Sequence, residues 1–289
     1  MKTADINIRD PYVLVQDGKY YLFGTRSQSC WGEMDGFDCY VSSDLENWQG
    51  PNEVFHRPEG FWATENYWAP EAYEHNGQNY LVTTLGGAHR KKSINLFKAD
   101  KPLGPYHYVT QLTAADSEAI DATIFEKDGR SYLVYSHTLQ DVPQGDMCAV
   151  ALTDDWTKTV GEPVRLFSAA EAKWAKPVPF AEKEFGIKGD AYFADGPTVY
   201  QQPDGSLVML WSSWGNAGYS VGQAISKSGD IFGDWQQLPD PVIETGGHGM
   251  LFTTLTGQKR YVLHSPNDFY QEHPKFLPVG EKNQQLIIK

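Results

Sequence analysis

The chain of 289 residues carries 37 Asp and Glu against 24 Lys and Arg, a net charge of −13. That balance argues against nucleic acid as a partner, because its binders neutralise phosphates with basic patches. No run of 18 apolar residues is present, so no membrane-spanning helix is expected. The apolar share of 40% is ample for a core, and the aromatic share of 13% suits both strands and the C–H-rich faces of sugars. Cys30, Cys39 and Cys148 are odd in number and lack metal-ligand spacing, which reads as small buried hydrophobes in a reducing compartment. No apolar segment of signal-peptide type precedes the strand expected around Ile6–Val15. The expectation is a cytoplasmic protein, although a trimmed secreted chain would read the same way.

Five turns, each followed by a short apolar strand, punctuate the chain. They are Asp17-Gly18, Asn76-Gly77, Asp128-Gly129, Asp204-Gly205 and Thr256-Gly257, with glycines 59, 52, 76 and 52 residues apart. Further into four of these units a strand ends at a small residue with Asp, followed by an aromatic: Trp48, Tyr106, Trp156 and Trp235. Asp and Gly initiate tight turns, and the aromatic opens an outer strand. Two landmarks in one order at this period predict propeller blades. The fold expected is all-β, a single-domain five-bladed β-propeller over residues 1–289, with the fifth unit completed by Pro274–Ile288. The long third interval predicts an insertion loop at about 162–192, with its best helix candidate at Ala169–Trp174.

Counting back from each glycine reaches residues with chemistry. Asp10 and Asp121 lie eight before, Asp195 ten and His248 nine, while Ala69 with its neighbour Trp68 holds the offset of eight in the second unit. Strand side chains alternate, so eight and ten point to one face and nine to the other unless a bulge or longer turn intervenes. Asp10, Asp121 and Asp195 are the expected set. On the innermost strands they would meet at the mouth of the axis, ringed by Trp68 and His248, where like charges raise at least one pKa.

Arg9-Asp10-Pro11-Tyr12, Trp68-Ala69-Pro70-Glu71, Ile120-Asp121-Ala122-Thr123, Asp195-Gly196-Pro197 and Gly247-His248-Gly249, in this order, resemble glycoside hydrolase family 43, the five-bladed propellers of inverting glycosidases. The resemblance covers essentially the whole chain. It implies Asp10 as general base, Asp121 as the carboxyl that tunes and orients the acid, Asp195 as general acid and Trp68 near the terminal sugar. It implies no required cofactor, with a calcium or other ion, or ordered water, facing His248. The expected partner is an oligosaccharide, and the expected reaction is exo release of terminal arabinofuranose, xylose or a related sugar. Inversion needs an acid and a base about 6.5–9.5 Å apart, a gap that two blades facing across a channel supply.

One departure stands out. Asp195 occupies the place of the family's usual glutamate and is shorter by one C–C bond, roughly 1.5 Å. Glu244 and Glu65 are the nearest substitute donors in the sequence, neither at a matching position. A binding propeller that kept the cavity but lost turnover is therefore the rival reading; a transglycosidase or phosphorolytic enzyme would need an anion site, for which Arg9 is the single basic candidate. Trp31, Trp62 and Trp214 are candidate pocket walls or ordinary packing. Arg9 is a substrate contact or a partner for Asp10, and His264 and His137 read as hydrogen-bonded core histidines.

Overall fold

A computed structural model describes residues 1–282 and 285–288. Five antiparallel sheets follow one another along the chain, each with its strands in sequence order. Blade 1 runs Ile8–Gln16, Lys19–Arg26, Gly36–Ser42 and Gln49–His56; blade 2 runs Glu65–His75, Gln78–Gly87, Arg90–Ala99 and His107–Gln111. Blade 3 comprises Ala119–Lys127, Arg130–His137, Asp146–Leu152 and Thr159–Ser168. In blade 4 the strands are Asp195–Gln201, Leu207–Gly215 and Gly218–Ser226, with the short pieces Gln236–Gln237 and Ile243–Glu244 both on the third. Blade 5 has Gly247–Thr253, Lys259–Ser265, His273–Lys282 and Gln285–Ile288. The first strand of every blade packs on the first strands of its neighbours, and blade 5 returns to blade 1. The expected five-bladed propeller is what the chain forms.

Two chain ends must close this ring without a shared sheet. An apolar cluster of Ile6, Ile8, Trp48, Met250 and Phe252 fills the seam, and Trp48 stacks on Phe276 at 6.0 Å. Polar groups tie the same seam: His273 Nδ1 donates to the Ile6 carbonyl at 2.7 Å, and Leu255 N–H to the Tyr20 hydroxyl at 2.8 Å.

The insertion is shorter than the sequence suggests. Residues 162–168 belong to the outer strand of blade 3, and the irregular stretch runs from 169 to 194. Ala169–Trp174 is no helix: only a single 3-10 turn, Ala169–Glu171, forms there, and the one α-helix among the described residues is Ala181–Phe185. Packing overrides local propensity here, because Trp174 is pulled into the core against Trp211 at 4.8 Å. Gly222 leaves the room, since a Cβ there would sit 2.2 Å from the indole.

Deeper along the inner strands lies a buried acid. Glu71 accepts from the Tyr73 hydroxyl, which also accepts from Ile124 N–H at 2.8 Å and packs on the Tyr12 ring at 5.3 Å. Burial raises the Glu71 carboxyl from 4.5 to about 8, despite hydrogen bonds from Tyr73 and Thr123 that favour the charge. The folded chain therefore holds a proton that the unfolded chain releases above about 4.5, so this contribution to stability is lost as pH rises toward about 8. Glu71→Gln removes that cost. Its melting temperature should exceed the wild-type value by about 3–6 °C at pH 8 and by little at pH 5; a difference that does not grow with pH would contradict the assignment.

Candidate active site

Each inner strand enters the ring through the same local device. Asp10, Ala69, Asp121, Gly196 and His248 all have positive φ, between 45° and 57°. The pairing register slips directly after each of them, which marks a β-bulge. Pro11, Pro70 and Pro197 follow three of these residues, where the slipped ladder asks for no N–H. In four blades the N–H of the left-handed residue donates to a side chain on the second strand of the preceding blade. Ala69 binds Thr25 Oγ1 at 2.8 Å, Asp121 binds Thr84 Oγ1 at 3.0 Å, His248 binds Ser212 Oγ at 2.8 Å, and Asp10 binds His264 Nδ1 at 3.2 Å. In blade 4 the equivalent side chain, Ser136, has its Oγ buried without a partner among the described residues, and the Gly196 N–H bonds the Asp121 carboxyl instead.

This register corrects the face expected for two residues. Asp10 and Asp121 are equivalent to His248 and Gly196, whereas Asp195 pairs with Ser212 as Arg9 pairs with Thr25, Trp68 with Thr84 and Gly247 with His264. The physical reason is loop length. Two residues join the first two strands in blades 1 to 3, and five do so in blades 4 and 5, which puts one extra residue between the turn glycine and the bulge.

The acids nevertheless converge. Asp10, Asp121, Asp195 and His248 are each less than a tenth exposed. His248 Nδ1 lies 3.2 Å from Asp10 Oδ1 and 3.5 Å from Asp121 Oδ2. Thr25 Oγ1 donates to Asp10 Oδ2 at 2.6 Å, and the Tyr219 hydroxyl donates to Asp195 Oδ2 at 3.1 Å. Gly196 and Gly247 make room for this packing: a Cβ would come within 2.6 Å of the His248 ring in one case and 2.7 Å of the Tyr219 ring in the other.

Environment separates the three carboxyls. Burial opposes charge on Asp10, but His248, Arg9 and the Thr25 hydroxyl outweigh it and hold its carboxyl below the ordinary value. Burial pushes Asp121 well above the carboxylate range, and Asp195 and Asp10 push it further. Asp195 rises to about 7, again chiefly through burial and against the Tyr219 hydrogen bond. Burial also lowers both imidazoles, His264 to about 3. His264 Nδ1 accepts from Asp10 N–H and its Nε2 faces Asn267 Oδ1 at 2.9 Å, which assigns a neutral ring with the proton on Nε2. Its 3.4 Å approach to Asp10 Oδ1 is thus a contact and not an ion pair. One negative charge, on Asp10, sits beside two carboxyls that keep protons.

Arg9, Trp31 and Trp68 come together at the rim of blade 1. The Arg9 guanidinium lies 5.2 Å from the Trp31 ring centre, and Trp31 meets Trp68 at 5.5 Å. Arg9 is fixed by Glu272, fully buried, at 2.5 Å, and Ser27 Oγ donates to the other oxygen of that carboxylate at 2.6 Å. Trp214 is not part of this group; it packs edge-on against Phe180 at 5.2 Å and anchors the insertion. Trp62 lies under Arg90 at 4.7 Å, and His137 pairs with Asp141 at 3.3 Å. Glu65 bridges to Glu33, and Glu244 pairs with Ser220 on the third strand of blade 4; both are exposed. Glu272, Tyr219 and Thr25 escaped the sequence reading. Thr25 alone left a signal: Thr25, Thr84, Ser136, Ser212 and His264 each lie seven residues after a turn glycine.

No three His, Cys, Asp or Glu side chains converge as metal ligands among the described residues. His248 Nδ1 is turned to the carboxyls of Asp10 and Asp121.

Residues 4–280 match the sequence model for glycosyl hydrolases family 43. The chain belongs to glycoside hydrolase family 43. It is a glycosidase. The extracellular exo-α-(1→5)-L-arabinofuranosidase of Cellvibrio japonicus is 23% identical over 92% of this chain and 76% of its own length. The structure described as endo-arabinase from Bacteroides thetaiotaomicron superposes with a TM-score of 0.89 at 30% identity, over 98% of both chains. An α-L-arabinofuranosidase from Lactobacillus brevis shares the fold at TM-score 0.75 and 16% identity, over 100% of this chain and 97% of that one. The cytoplasmic expectation is corrected by the Cellvibrio relative, which is extracellular.

The Arg9–Glu272 pair gives a direct test of how the rim is held. Removing one member of a buried pair strands the other charge, typically at about 3–5 kcal/mol. Glu272→Ala should lose stability of that order in chemical denaturation; a loss below about 1 kcal/mol would show that the pair does not hold the rim.

Proposed function

We propose that this glycosidase hydrolyses α-L-arabinofuranosidic bonds with inversion, releasing sugar from the chain end. The observation that supports it is the separation of two carboxyls by environment: Asp10 charged and Asp195 titrating at about 7. Asp10 takes a proton from the attacking water as general base. Asp195 protonates the departing glycosidic oxygen as general acid. Tyr219 holds one oxygen of Asp195, while Oδ1 is buried without a partner among the described residues and is the oxygen from which the proton leaves. Asp121 keeps its own proton beside both and limits the negative charge against which Asp195 must stay protonated.

The arabinofuranoside preference follows the two relatives named for arabinan chemistry. End-of-chain action follows the Cellvibrio enzyme, and product analysis on a linear arabino-oligosaccharide distinguishes it from internal cleavage. Asp195 is shorter than the usual glutamate, and its bulge register moves it to the Arg9 and Trp68 position, entering from a different point of the strand than Asp10. The reading takes this shorter acid as competent.

Asp10→Asn should lower kcat on 4-nitrophenyl α-L-arabinofuranoside by about 10²–10⁴-fold. Wild-type kcat/KM should fall as pH rises through about 7, because Asp195 must carry its proton. Sugar binding with no turnover in the wild type would instead support a binding propeller, and full activity in Asp10→Asn would remove the base.

A further inference from the structure

The second strands of the five blades carry one equivalent polar side chain each, and one of the five breaks the pattern. Thr25, Thr84, Ser136 and Ser212 are short hydroxyls, whereas blade 5 has His264. A hydroxyl is enough to accept the next blade's N–H, as Thr25, Thr84 and Ser212 do at 2.8 to 3.0 Å. The His264 imidazole accepts Asp10 N–H at 3.2 Å, and it adds a ring face and a second nitrogen that a hydroxyl lacks. Both additions are used.

The Nε2–H donates to Asn267 Oδ1 at 2.9 Å, and the same oxygen accepts from Arg9 Nη2 at 3.1 Å. Bonds at both nitrogens fix the ring in one tautomer and one orientation. Its face lies within 13° of parallel to the Tyr219 ring, with centres 5.7 Å apart. Tyr219 reaches that place because Asn216-Ala217 is a two-residue turn between the paired Gly215 and Gly218. Gly247, the ladder partner of His264, leaves the ring its space. Neither ring is more than 5% exposed. The Tyr219 hydroxyl then ends the series on Asp195 Oδ2 at 3.1 Å. One imidazole thus meets the backbone of the base at its edge and the partner of the acid at its face.

We propose that His264 is a positioning residue that sets the place of the acid relative to the base, acting on Asp195 through the stacked Tyr219 ring. Asp10 and Asp195 stand on blades 1 and 4, with blade 5 between them. No ladder joins the two, so their spacing depends on what spans the gap, and His264 comes from the intervening blade. Rings locked by packing and hydrogen bonds hold a reacting group more narrowly than its own rotamer does. Asp195 Oδ1, without a partner among the described residues, is left to face the leaving group. This deepens the hydrolase reading and rests on it for the roles of Asp10 and Asp195.

The experiment compares kcat/KM on α-1,5-arabinobiose, whose leaving sugar needs a proton, with kcat/KM on 4-nitrophenyl α-L-arabinofuranoside, whose nitrophenolate leaves without one. Tyr219→Phe keeps the ring and removes the donor. The ratio of the first value to the second should fall about 10- to 100-fold, the cost of a carboxyl misplaced by roughly 1 Å. His264→Thr installs the acceptor that blades 1 and 2 use, which keeps the seam and removes the ring face; the ratio should fall similarly. His264→Thr added to Tyr219→Phe should lower it no further. Carbon NMR of the Asp195 carboxyl reads the same contact without turnover. Its titration should move above about 7 in both single variants, because a donor to the charged form is lost. If His264 served the seam alone, His264→Thr would leave the ratio and the titration unmoved, and that result would overturn the proposal. Additive losses in the double variant would overturn it too. Wild-type protein that cleaves neither compound would overturn the hydrolase reading; the Asp195 titration in His264→Thr then decides the positioning claim alone.

Discussion

Five left-handed residues, one at the entry of each inner strand, carry the geometry of this molecule. A non-glycine residue in that conformation costs on the order of 1–3 kcal/mol, and four of the five here are Asp10, Ala69, Asp121 and His248. The strain persists because the N–H of each of these four is captured by a Thr, Ser or His side chain on the neighbouring blade. The same hydrogen bonds therefore do two things. They fasten adjacent blades, and they fix the left-handed residues themselves, so that Asp10, Asp121 and His248 meet. In blade 4 the repeat changes: glycine takes the strained position, its N–H goes to Asp121, and the acid moves one residue back. That exchange brings Asp195 up from a different point of its strand than Asp10 and leaves space for the His248 ring.

Electrostatics then divides the labour within a small volume. A chain with net charge −13 gathers three of its acids around one buried spot, which is tolerable because burial favours the protonated form of two of them. The Thr25 and Tyr219 hydroxyls donate to Asp10 and Asp195 without adding charge. Arg9, a strong cation nearby, is balanced by Glu272, so it orders the rim and favours the charge on Asp10 without neutralising the site. Placing the charged base and the protonated acid in different surroundings is the general way to run acid and base chemistry together.

Much of this was legible in the chain. The glycine turns and the recurring Asp-aromatic landmarks reveal blades because each blade repeats its hairpin chemistry, and Asp10 and Asp121 fall out of the count directly. The count misplaced Asp195 for a definite reason: the longer loops of blades 4 and 5 shift the parity, and the same longer turn brings His248, at an offset of nine, to the position of Asp10 and Asp121. Counting forward to the second strand gives a constant seven and would have found Thr25, Thr84, Ser136, Ser212 and His264 at once. Glu272 and Tyr219 left no local signal. Their roles come from contacts 263 and 24 residues away in sequence, and no periodicity records a contact of that kind. Of the two readings open for Trp214, pocket wall or ordinary packing, its contact with Phe180 in the insertion is packing.

The claim on which the account turns is that Asp10 activates water on one side of the sugar while Asp195 protonates the leaving group on the other. The anomer released first reads this directly. Proton NMR during the first minutes of arabino-oligosaccharide hydrolysis should show β-L-arabinofuranose accumulating before mutarotation. Initial release of the α anomer would contradict it.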